Sequence, residues 1–133
     1  MNLPEPSYKM LSDREAILTS DYKIMTSLGQ ITILKGYRTD GLSIPQWCWS
    51  ILGVTPFTHK AFPAGLVHDA LFQTHYVSYL KANDIFYELL KANNVALPRR
   101  IIMYRILDAF GWIAYYNYNK SDTAFFKQFV TIS

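Results

Sequence analysis

Phe62-Pro63-Ala64-Gly65-Leu66-Val67-His68-Asp69-Ala70-Leu71-Phe72 sets a histidine and an aspartate side by side inside an apolar, helix-like segment. Burying two ionisable groups together is costly unless each is paired or holds a metal. The stretch therefore demands answering groups elsewhere in the chain. Adjacent residues on a helix of 3.6 residues per turn lie about 100° apart, so His68 and Asp69 must address two different neighbours. Thr58 is a reasonable N-cap for this helix, which reads as residues 59–73, with Pro63 forcing either a start near itself or a kink. Ser78 caps a second helix over residues 79–93, whose apolar positions Leu80, Ile85, Phe86, Leu89 and Leu90 repeat at helical spacing. Residues 58–93 thus read as an antiparallel helix pair. Across it His68 faces Asp84, while Asp69 turns to Asp40 in Thr39-Asp40-Gly41-Leu42-Ser43-Ile44-Pro45.

Outward from this pair the pattern changes. Residues 1–15 are polar, contain two prolines and read as an arm. Residues 16–19, 22–26 and 31–34 are short apolar or β-branched runs around a turn at residues 27–30, which predicts a small antiparallel β-ribbon over residues 16–35. Such a ribbon is marginal alone and must pack on helices. Asp-Gly and Ile-Pro make residues 36–45 a loop, and Pro45 opens a short helix through Trp47, Trp49 and Leu52. Pro98 opens a long helix over residues 98–118, with the stripe Ile102, Ile106, Ala109, Ile113 and Tyr116. Residues 119–133 form a tail with a short helix or strand around residues 125–132. The expected fold is α+β, mainly α: a small N-terminal antiparallel β-ribbon packed on the helix pair, plus a long C-terminal helix, in a single domain of residues 1–133.

Composition narrows the function classes. Half of the 133 residues are apolar and 16% are aromatic, enough for a compact core. The net charge is +3; if Asp40, Asp69 and Asp84 gather in one site, the remaining surface is about +6 and mildly attractive to anionic surfaces. The basic residues are scattered apart from Arg99-Arg100, so no nucleic-acid motif is read. No uncharged apolar run reaches the roughly 18 residues of a spanning helix, and residues 1–6 lack the basic and apolar regions of a signal peptide. Cys48 is the only cysteine, which excludes an internal disulfide and a thiolate zinc site; it reads as a packing residue between Trp47 and Trp49. Trp47, Trp49, Phe57 and Phe62 read as core or as a lipid-facing rim, and Tyr115, Tyr116, Tyr118, Phe125 and Phe126 as a contact surface for another protein.

The four polar residues have a chemical logic. A carboxylate that accepts from one imidazole nitrogen fixes the tautomer and leaves the other as a general base. Two carboxylates with loop carbonyls make an oxygen-rich pocket that suits calcium. A base beside a divalent cation has the parts for ester or amide hydrolysis. The competing reading is a satisfied structural network or structural cation site. A metal phosphohydrolase built with His59 and Asp108 is disfavoured, because His59 precedes the dyad by only nine residues.

Thr39-Asp40-Gly41-Leu42-Ser43-Ile44-Pro45, His68-Asp69-Ala70-Leu71-Phe72 and Ala82-Asn83-Asp84-Ile85-Phe86 together resemble an uncharacterised family of bacteriophages and prophages, domain of unknown function 1353. The likeness runs over residues 22–112. It implies a phage-associated protein, located in the host cytoplasm or virion, with phage structural proteins or a cell-envelope substrate as partners. Residues 39–86 resemble, more distantly, the calcium-dependent phospholipase A(2)-type enzymes. That likeness implies His68 as base, Asp84 as its orienting partner, and Ca2+ held by Asp69, Asp40 and the carbonyls of Gly41 and Leu42. The chain departs from those disulfide-stapled, exported enzymes in its single cysteine and in Phe72, which stands where a tyrosine is commoner.

Overall fold

The computed structural model describes residues 3–12, 15–39 and 60–133. Helix α1 (Phe62–Thr74) is buried along its whole length, as a helix apolar on every side must be. It begins where the ring of Pro63 is tolerated, in the first turn. It ends at His75, whose left-handed backbone (φ 54°) lets its N–H reach the Leu71 carbonyl. Helix α2 (Tyr79–Ala92) runs back against it, with the Ser78 hydroxyl accepting from the Lys81 N–H at 3.2 Å. Helix α3 (Leu97–Asn117) packs on α2, and α4 (Lys120–Lys127) packs on α1. A reciprocal box starts α4: Asn119 Oδ1 accepts from the Asp122 N–H and Asp122 accepts from the Asn119 N–H.

Two antiparallel three-stranded sheets complete the described chain. One has the order β1 (Tyr8–Met10), β2 (Ala16–Leu18), β5 (Arg38–Thr39); the other has β3 (Tyr22–Thr26), β4 (Gly29–Ile33), β6 (Val130–Ile132). The expected single ribbon is therefore divided, because β2 turns away from the β3–β4 hairpin to pair Ala16 with Thr39 and Ile17 with Arg38. The arm contributes β1 and the tail contributes α4 and β6. Both added strands are three residues long, too short to show alternation. The architecture is α+β and mainly α, as the sequence reading expects.

One expectation about packing is corrected. On α3 the buried residues are Met103, Leu107, Gly111 and Tyr115. Most of the predicted stripe faces outward, with Ile102, Ile113 and Tyr116 exposed by 45%, 47% and 67%, while Ile106 is partly buried against the core. Leu80 is likewise exposed on α2. The readings for Thr58, His59, Trp47, Cys48, Trp49, Phe57 and the short helix after Pro45 lie outside the described residues. Among the described residues no helix is long and apolar enough to cross a membrane.

Candidate active site

His68 and Asp69 do face different neighbours. The His68 ring is fully buried between Phe72, at 4.0 Å between ring centroids, and Phe86, at 5.3 Å. Its Nε2 lies 2.8 Å from Asn83 Oδ1 on α2, and Asn83 Nδ2 donates to Asp108 Oδ1 on α3, also at 2.8 Å. A carboxylate accepts and an amide nitrogen donates, so Asp108 fixes which end of Asn83 points at the histidine. The amide oxygen then requires Nε2 to carry the proton, and Nδ1 keeps its lone pair. That Nδ1 is buried and has no hydrogen-bond partner among the described residues. Burial pushes the imidazole down to about 4, with the Asn83 hydrogen bond acting in the opposite sense, so the ring is neutral at pH 7.

Gly111 lets α3 come close enough for this chain of bonds. A Cβ at Gly111 would stand 3.2 Å from the Phe72 ring and 3.9 Å from Asn83 Oδ1. One turn earlier on the same helix, Asp108 meets the Asn83 amide. An aspartate at position 83 could accept from His68 but would confront the Asp108 carboxylate; asparagine serves both sides.

Asp84 does not meet His68, which corrects the expected pair. Its Oδ1 accepts from the Tyr104 hydroxyl at 2.7 Å on the outer side of α2 and α3. That bond, followed by burial and the charges of Asp108 and Asp84, raises the Tyr104 phenol to about 12. Helical phase explains the difference: Asp84 shares its face with Glu88 and Lys91, whereas Asn83 is in phase with the buried Phe86 and Leu90. The same phase is legible in the sequence, where Asn83 stands three and seven residues before the apolar Phe86 and Leu90.

Asp69 turns toward β5, where its Oδ2 accepts from the Thr39 hydroxyl at 2.9 Å. One turn on, Gln73 Oε1 accepts from the Tyr37 hydroxyl. Thr39 directly precedes Asp40, Gly41 and Leu42, which lie outside the described residues. Among the described residues no three His, Cys, Asp or Glu side chains group as metal ligands. His75 stacks on Tyr115 at 4.0 Å and sits at the end of α1, away from His68.

No curated protein and no solved structure gives a significant match to the chain. The family described as "Protein of unknown function (DUF1353)" matches residues 16–107, which run from β2 into α3 and include His68, Asp69 and Asn83 but stop just short of Asp108. The chain belongs to that family.

Proposed function

We propose that this protein hydrolyses ester or amide bonds, with His68 as the general base. The observation that carries this reading is the bare Nδ1 of a neutral imidazole whose other nitrogen is held by Asn83 and Asp108. Buried polar atoms are nearly always satisfied, and the exceptions call for a reason such as catalysis. A fixed tautomer with one free lone pair is the state a base requires. Asn83, backed by Asp108, takes the orienting role that the sequence assigned to Asp84. Asp69 with Asp40 and the carbonyls of Gly41 and Leu42 would be the oxygen donors for a calcium ion, which would supply oxyanion stabilisation.

A second reading rests on the complete burial of His68 between two phenylalanines. There the protein is a non-enzymatic virion or assembly component and the His68–Asn83–Asp108 chain is structural. One experiment separates the two: His68→Asn assayed on p-nitrophenyl esters, peptide amides and phosphatidylglycerol vesicles, with and without calcium, beside its melting temperature. The hydrolase reading expects turnover by the native chain and a loss of about 10²–10⁴-fold in the variant, with the fold retained. Absence of turnover by the native chain on every substrate, together with a lower melting temperature in the variant, would establish the structural reading instead.

A further inference from the structure

A cleft of about 430 Å³ opens between β5 and α4, on the side of α1 that carries Asp69 rather than His68. One wall is aromatic. Phe125 and Phe126 stand 5.3 Å apart at 79°, Phe125 and Phe129 5.7 Å apart, and Tyr37 meets Phe126 edge-on at 6.3 Å. Phe125 is half-exposed within this wall, an unfavourable place for an apolar ring unless something apolar lies against it. The other wall is polar, with Thr39, Arg38 and Glu15.

The cleft also contains a directional group. Gln73 lines it and is only 7% exposed. Its Oε1 takes the Tyr37 hydroxyl, which leaves the amide N–H groups at the other end of the side chain to donate. No partner for them is present among the described residues. The Arg38 guanidinium, the cation of the cleft, is matched by Glu15 Oε1 at 3.4 Å, and Asp69 lies behind Thr39. A ligand carboxylate would meet the Glu15 carboxylate, a second carboxylate buried behind the wall at Asp69, and one committed guanidinium. An uncharged carbonyl oxygen would meet the Gln73 donor without that repulsion.

From this we infer that the cleft binds a small ligand with an apolar, ring- or chain-bearing body and an uncharged carbonyl group, the carbonyl accepting from Gln73 and the body lying on the Phe125–Phe126–Phe129 wall. The volume falls in the usual range for small-molecule sites, as does a mostly apolar lining with a few polar groups. The site stands apart from the proposed chemistry at His68 and does not require it.

The probe is 4-phenylbutyramide, with 4-phenylbutyrate as its charged counterpart, titrated into the ¹⁵N-labelled full chain and followed by the side-chain NH₂ resonances of Gln73. The expected result is saturable movement of those resonances with a Kd on the order of 1 mM, reasonable for about a dozen heavy atoms. Binding should weaken roughly tenfold for the carboxylate and for Phe125→Ala, whose exposed ring is dispensable for folding. Gln73→Met, nearly isosteric but without the donor, should weaken the amide and leave the carboxylate unchanged. His68→Asn should bind like the native chain, so that failure of the catalytic reading leaves this one standing. Absence of saturation at about 10 mM, equal affinity for the two probes, or shifts confined to α3 would overturn it.

Discussion

At the scale of single residues, His68 makes the stability of the protein depend on pH. Burial holds its imidazole at about 4 in the folded state, against about 6.5 in an unfolded chain. Between those values the unfolded state binds more protons, so stability rises with pH across the window and falls as pH drops from about 6.5 to about 4. The difference corresponds to about 3 kcal/mol at most. Urea unfolding of the native chain and of His68→Asn, run in parallel from pH 7.5 to pH 4, cancels the carboxylates common to both. The native chain should lose about 2–3 kcal/mol relative to the variant, and parallel curves would contradict the burial of a neutral ring. Part of this site was legible beforehand. The 100° step of a helix separates the tasks of His68 and Asp69: His68 faces the second helix of the pair and Asp69 faces Thr39, the residue before Asp40. Asn83 was missed because its amide is not titratable, and Asp108 because its role exists only once Gly111 has drawn α3 onto α2.

At the scale of elements, α3 shows why periodicity alone misassigned a face. Its apolar residues lie on two sides: Met103, Leu107, Gly111 and Tyr115 step by four against the core, while Ile102, Ala109, Ile113 and Tyr116 repeat at equivalent spacing toward solvent. Each series reads as a core stripe, and only the position of α2 decides between them. On α2 only Leu80 departs from the expected face, and the boundaries of the helix follow from Ser78 at one end and the turn at Asn93 at the other. The energetic consequence is testable by a pair of substitutions. Leu107→Ala, deep in the packed face, should cost about 2–5 kcal/mol. Ile113→Lys, which would be ruinous if the predicted stripe were buried, should change stability by no more than about 0.5 kcal/mol. Denaturant midpoints at constant slope distinguish the outcomes, and a reversed order would mean that the outward face is covered in solution.

At the scale of the whole described chain, segments distant in sequence close the structure. β6 joins the hairpin by pairing Ile31 with Ile132 and Ile33 with Val130, and Gln30 and Ser133 exchange both backbone hydrogen bonds at 2.9 Å. Just before β6, the Phe129 carbonyl accepts from the Leu34 N–H, and α4 lies on α1. Residues 119–133, which the sequence reads as a tail with a short helix or strand around residues 125–132, therefore tie the second sheet to the central helix and supply the aromatic wall of the cleft. Nothing local in Val130–Ile132 announces this, because a three-residue strand is specified by its partner more than by its own pattern. The closest point of that union is Gly29, which has φ +115° and where a Cβ would lie 2.4 Å from the Ser133 carbonyl oxygen. Gly29→Ala thus combines a strained backbone with a collision that only displacement of the strand end can relieve. The variant should lose about 2 kcal/mol, or roughly 6–10 °C in melting temperature for a chain of this size. Hydrogen exchange should locate the damage: the Gln30 and Ser133 amides should lose protection first, while the amides of α1 keep theirs. Because Phe125, Phe126 and Phe129 precede the displaced strand, affinity for 4-phenylbutyramide should fall with it. An unchanged melting temperature with intact protection at Gln30 would show instead that β6 contributes nothing to the cooperative unit.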